Sequence, residues 1–94
     1  MKVEWTAPAD RDLDEIWTYI AEDNIDAADR TADRLRQAAE GLARHPALGR
    51  KGKMGNTREL IVPGLPYMPI YRIAGECIEI LRAYHGARQW PPKG

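Results

Sequence analysis

The last third of the chain gathers the side chains best suited to chemistry. Arg82, Tyr84, His85 and Arg88 fall within seven residues, and Arg58 and Arg72 stand upstream in the same stretch. Histidine and tyrosine can move protons, and arginine holds a phosphate through two parallel N–H donors. Such a set can bind a phosphate and move protons in general acid–base work. Arg50, Lys51 and Lys53 lie in the glycine-rich segment 46–56, where they could reach a nucleic-acid backbone or an acidic protein surface. Each residue also has a plain structural use. Arg72 could bond Asp12 or Glu15, His85 could close a strand end, and the basic segment could be a solvated, mobile loop. Strand alternation puts Arg82 and Tyr84 on one face and His85 on the other.

Other chemistries are excluded or weakened. The single Cys77 rules out an internal disulfide, and with only His45 and His85 no zinc-ligand spacing exists. No metal and no cofactor are expected, and Cys77 reads as a small packing residue. Gly49, Gly52 and Gly55 match neither a Walker loop nor a dinucleotide fingerprint. No apolar run approaches the ~18 residues of a membrane span, and the start Met1-Lys2-Val3-Glu4-Trp5 lacks a signal-peptide core, so a cytoplasmic protein without a membrane partner is expected. The zero net charge hides a division. Residues 1–45 hold six Lys/Arg against eleven Asp/Glu, whereas residues 46–94 hold eight against three. An anionic partner for the second half, or simply more surface acids on helices than on strands, would produce that split.

The elements that position these groups follow from periodicity. Ninety-four residues bound a single domain, 1–94, with one modest core. Lys2 to Thr6 alternates as a short strand with Val3 and Trp5 on one face. Thr6 can cap a helix with Pro8 and Asp10 in its first turn. Ala9, Leu13, Ile16 and Ile20 form its apolar stripe, widened by Trp17, while Asp12, Asp14, Glu15 and Glu22 fall mostly outward. Asn24 caps a second helix with the stripe Ala28, Ala32, Leu35, Ala39 and Leu42, and the short connection makes an antiparallel αα-hairpin. Pro46 ends that helix. Three strands follow: Thr57 to Val62, Tyr67 to Ile73, and Cys77 to Tyr84. Pro63-Gly64 and Ala74-Gly75-Glu76 make the turns between them. Pro69 requires an edge position or a bulge, and the last strand has the aliphatic content of a central one. Trp90 is expected to pin the tail. The fold class is α+β, in the order β-α-α-β-β-β, with the helical hairpin packed on a small, mainly antiparallel sheet.

This order, with its motifs, resembles the RelE/ParE superfamily of toxins from bacterial type II toxin–antitoxin modules. The matching series starts with Asp12-Leu13, Ile16-Trp17, Ile20-Ala21 and Ala27-Ala28, then Leu42, Pro46 and Gly49-Arg50. It continues through Thr57-Arg58-Glu59-Leu60, Pro66-Tyr67, Tyr71-Arg72-Ile73, Ile78, Ile80-Leu81, and His85-Gly86-Ala87-Arg88 with Pro91. The resemblance implies a growth-inhibiting toxin held inactive by a small cognate antitoxin. It implies one of two targets: ParE-like members poison DNA gyrase, and RelE-like members are ribosome-dependent endoribonucleases (mRNA interferases) that cut mRNA in the decoding site. RelE-like nucleases are markedly basic, with active-site lysines and a C-terminal tyrosine. Here the chain is neutral, Pro63 stands where a strand arginine is expected, and the tail lacks tyrosine; of that constellation Arg88 survives.

Two function classes and a third follow. A ParE-like toxin acts by binding gyrase, with Arg50, Lys51, Lys53, Arg72, Arg82 and Tyr84 as target- or phosphate-binding residues. A RelE-like nuclease uses Arg88, His85 and Arg58 at ribosome-bound mRNA. A degenerate toxin survives as a partner-binding module. The gyrase reading is preferred. The antitoxin is expected to bury a helix or strand against the helical hairpin and a sheet edge left open near Pro69.

Overall fold

The computed structural model describes residues 1–86. Val3 and Trp5 turn inward from a first strand, β1 (Lys2–Trp5), as their alternation requires. Thr6 then caps helix α1 (Ala7–Ala21) by accepting from the Ala9 N–H, with Pro8 in the first turn. Asn24 caps α2 (Ile25–Gly41) through the Ala27 N–H. The three-residue connection returns α2 along α1, so that Trp17 Nε1 donates to Asp29 Oδ1 at 2.8 Å. Trp17 is thus spent on a surface bond, not on widening the apolar stripe, and remains 36% exposed.

The sheet order is β1-β5-β4-β3-β2, with β1 parallel to β5 and all other pairs antiparallel. Its strands are β2 (Arg50–Lys51), β3 (Thr57–Glu59), β4 (Tyr67–Ala74) and β5 (Cys77–His85). Ala74 and Cys77 pair across the tight turn, where Gly75 takes φ +62°. The expected architecture is present, with one addition. Part of the basic segment read as a loop is strand β2, because Arg50 and Lys51 find ladder partners in Glu59 and Arg58.

The core lies between the hairpin and the sheet. Leu13 and Ile16 of α1 and Ala32, Leu35 and Ala39 of α2 pack with Tyr71, Ile78 and Ile80, and Leu42 closes the end of α2. A fully buried leucine such as Leu35 contributes about 1.5–3 kcal/mol. Alanine at positions 32 and 39 lets α2 lie close to its neighbours.

For Pro69 an edge position or a bulge is expected, and the structure has the bulge beside it in an interior strand. Pro69 sits in β4 next to Ile70, where the pairing with β3 ends at Glu59. The Ala83 N–H points away from β4, so Pro69 and Ala83 form a non-hydrogen-bonded pair. Pro69 therefore turns its missing donor toward β3, where only its carbonyl is used, accepting from Leu60 N at 2.9 Å. The sheet edge expected to lie open near Pro69 is occupied by that segment. The bulge falls beside it: Ile70 pairs with Arg82 but Tyr71 with Ile80, leaving Leu81 as the extra residue. The extra residue shifts the alternation by one, so Ala83 joins Ile78 and Ile80 in the core. No helix among the described residues is long and apolar enough to cross a membrane.

Candidate functional site

A cleft of about 570 Å³ opens between one face of α1 and the ends of β4 and β5. Asp12, Glu15, Ile16 and Tyr19 line it at helical spacing, one above another. Tyr67, Arg82, Tyr84 and His85 close the sheet side. Strand β1 ends opposite Ile80, so among the described residues the last residues of β5 have no strand neighbour on that side. The helix supplies what the ladder does not. Thr6 Oγ1 donates to the Ile80 and Leu81 carbonyls at 2.9 and 3.2 Å, and Asp12 Oδ2 accepts from the Ala83 N–H at 2.9 Å.

Asp12 is the residue that sequence reasoning placed wrongly. It was expected on the outer face, yet it is 9% exposed and bonds Arg82 twice, from Nε at 2.7 Å and Nη2 at 3.0 Å. A signal existed: Asp12 lies three residues after Ala9 and four before Ile16, inside the apolar stripe. A carboxylate there needs a buried cation or amide partner. The Asp12 hydrogen bond, opposed by desolvation, raises the Arg82 guanidinium above its ordinary value. Arg82 also lies over the Tyr84 ring, its Cζ 4.8 Å from the centroid. The acid partner expected for Arg72 is thus the partner of Arg82. Arg72 instead bonds Glu79, its cross-strand neighbour, at 2.6 Å.

His85 meets Tyr67 edge to face, with ring centroids 5.5 Å apart. Burial, and then the nearby Tyr19, push the Tyr67 phenol above its ordinary value, so it stays neutral. Tyr19 itself is 71% exposed at the cleft rim.

The remaining cations are dispersed. Arg50 Nε bonds the buried Glu59 carboxylate at 2.8 Å, across the β2–β3 pair. Arg58 Nη1 donates to the Gly49 carbonyl at 2.7 Å and the Ala47 carbonyl at 3.3 Å, tying down the approach to β2. The Tyr71 hydroxyl anchors the same approach, donating to Pro46 O at 2.7 Å and accepting from Gly49 N at 2.8 Å. Arg58 pairs with Tyr71 and His85 with Tyr67, on opposite sides of β4 and four positions apart. That offset is roughly 16 Å between backbone positions, and the Arg58 guanidinium is turned to the Gly49 and Ala47 carbonyls. The structure therefore does not bring Arg58 to His85, and Arg88 lies outside the described residues. Lys51 and Lys53 have no ion pair among the described residues.

Arg50, Arg72 and Arg82 are thus each neutralised by a carboxylate, and Arg58 is spent on carbonyls. What the arrangement offers is a tyrosine-rich cleft and two lysines on the β2–β3 hairpin. Among the described residues no group of three or more His, Cys, Asp or Glu could hold a metal ion. Desolvation, with Glu4 and Glu79, holds the Cys77 thiol above its ordinary value, away from the nucleophilic thiolate.

Residues 3–90 match the family model described as ParE toxin of type II toxin–antitoxin system, parDE. The chain is 44% identical over 90 residues to the candidate toxin Y4kP of Sinorhizobium fredii, covering 96% of this chain and 93% of that protein. It is 40% identical over 87 residues to Toxin RelE2 of Caulobacter vibrioides, covering 93% and 97%. Among solved structures, a chain of the chromosomal ParDE toxin–antitoxin system from P. aeruginosa superposes with a TM-score of 0.80 at 25% identity, covering 90% of this chain and 95% of that one.

Proposed function

The chain belongs to the ParE toxin family of type II toxin–antitoxin systems, and from that premise we propose that it arrests growth by binding DNA gyrase. As a member of that family it has a cognate antitoxin as partner. One observation carries the binding mode. Arg50, Arg58, Arg72 and Arg82 are each committed to a carboxylate or carbonyl of this chain. Among the described residues no guanidinium is left beside His85 to take a pentavalent phosphate, and transition-state cations are what in-line RNA cleavage most needs. A toxin that acts by occupying its target has no such requirement. Lys51 and Lys53, on the β2–β3 hairpin, and Arg88 are the proposed target contacts.

The second reading, a ribosome-dependent endoribonuclease using Arg88, His85 and Arg58, draws support from the name of the Caulobacter relative, Toxin RelE2. Two assays with the purified protein decide between them. Gyrase supercoiling is expected to stop while mRNA translated on ribosomes stays intact. Cuts within the ribosomal A site, with supercoiling undisturbed, would overturn the gyrase reading.

A further inference from the structure

We infer that the cleft between α1 and the end of β5 is a receptor for a basic side chain, arginine or lysine, presented by the antitoxin. This rests on the reading of the chain as a toxin silenced by a protein partner, and it reverses the sign expected when Arg82 and Tyr84 are read as phosphate ligands.

The charge inventory of the cleft sets that sign. Asp12 and Arg82 neutralise each other at 2.7 and 3.0 Å. Glu15, one helical turn from Asp12 and exposed, adds a second carboxylate with no ion pair among the described residues. Among the described residues lining the cleft, the Asp and Glu side chains therefore outnumber the Arg and Lys side chains. An incoming phosphate would meet two carboxylates and compete with Asp12 for two of the Arg82 donors. An incoming cation meets the exposed Glu15 carboxylate and aromatic side chains.

Tyrosines line both walls of the cleft. Tyr19 lies four residues beyond Glu15, on the same face of α1, and is largely exposed. Tyr67 lines the opposite, sheet wall of the same cleft. A guanidinium between these rings would have π density from the tyrosines and a salt bridge to Glu15. The molecule already contains one such contact, since Arg82 lies over Tyr84 at 4.8 Å in the same cleft. On the helical wall the wider field agrees, since residues 1–45, which include both helices, carry the acid excess.

The test uses the full chain and two small probes. N-acetyl-arginine amide, titrated while backbone amide NMR resonances are followed, should give saturable shifts centred on Glu15, Tyr19 and Tyr67. Inorganic phosphate at equal concentration should leave those resonances in place. Glu15→Gln should weaken arginine binding about threefold, and Tyr19→Ala about two- to fivefold. Both residues are exposed, so these variants keep the fold. Shifts centred elsewhere, equal shifts with phosphate, or unchanged affinity in both variants would overturn the inference. Expression with and without the neighbouring antitoxin reading frame tests the underlying reading separately, by growth arrest and its relief.

Discussion

Asp12 and Arg82, seventy positions apart in the chain, meet in a two-bond ion pair that joins α1 to β5 just beyond the Leu81 bulge. The same carboxylate receives the Ala83 N–H, which has no strand partner among the described residues. One side chain thus finishes the sheet where β1 has run out and holds the wall of the cleft against the helix.

Removing that carboxylate should be costly. Asp12→Ala leaves the Ala83 N–H and a partly buried guanidinium without their acceptor. We expect a loss of about 2–3 kcal/mol, below the cost of breaking a fully buried pair because Arg82 is a third exposed. Asp12→Asn, which keeps an acceptor for Ala83, should lose less. Urea unfolding of the two variants measures both, and equal stability of Asp12→Ala and the parent would show the junction to be incidental.

The Tyr71 hydroxyl offers a second test. Tyr71→Phe should cost about 1–3 kcal/mol, since the Pro46 carbonyl and Gly49 N–H both lose their partner in a buried place. Gly49→Ala should act on the same contact from the other side. Its Cβ would lie 2.6 Å from Tyr71 Cε1 and 2.9 Å from the Glu59 carbonyl, so the loop must lift. Because both changes break one junction, the double variant should lose less than the sum of the singles in thermal melts.

Tyr67 predicts an alkaline limit. Its phenol is held above the ordinary value of 10.0 by burial and then by Tyr19. The folded state therefore keeps a proton that the unfolded chain releases. That contribution to stability is complete below about pH 10 and is lost as pH rises through the folded value. Melting temperature should fall above pH 10, and Tyr67→Phe should flatten the fall. A parent and variant with superimposable alkaline profiles would contradict it.

Lys51 and Lys53 should matter to the target and not to the fold. Lys51→Glu with Lys53→Glu reverses charges that have no ion pair among the described residues. We expect stability within about 0.5 kcal/mol of the parent but weaker gyrase inhibition, most visibly at low ionic strength. Arg72→Ala makes the contrast, because its exposed bond to Glu79 contributes about 0–1 kcal/mol to stability. Melting curves beside supercoiling assays separate the two kinds of residue.

Much of this fold is legible in the sequence alone. The steps from Ala28 to Leu42 on α2, the Thr6 and Asn24 caps, and the Gly75 turn are local. Each is set by residues within one or two turns, so periodicity and capping chemistry reveal them. The central place of β5 was legible too, from its aliphatic run. The short strand β2 was not, because Arg50 and Lys51 have no strand pattern of their own and become extended only by pairing with β3.

The cluster at the end of β5 shows where the sequence stops. It determined that Arg82, Tyr84 and His85 stand together, that the chain holds few histidines and one cysteine, and that cations concentrate in its second half. Which of those cations remain available was decided only in three dimensions. Arg50, Arg72 and Arg82 are neutralised by Glu59, Glu79 and Asp12, partners brought by strand register and by a helix packed across the sheet margin. The first two pairings depend on strand register, and the Asp12–Arg82 pairing on the one-residue bulge at Leu81 and on where β1 ends, none of which leaves a local mark in the sequence. A residue's type states what it can bind, and only its neighbours in the fold determine what it has already bound.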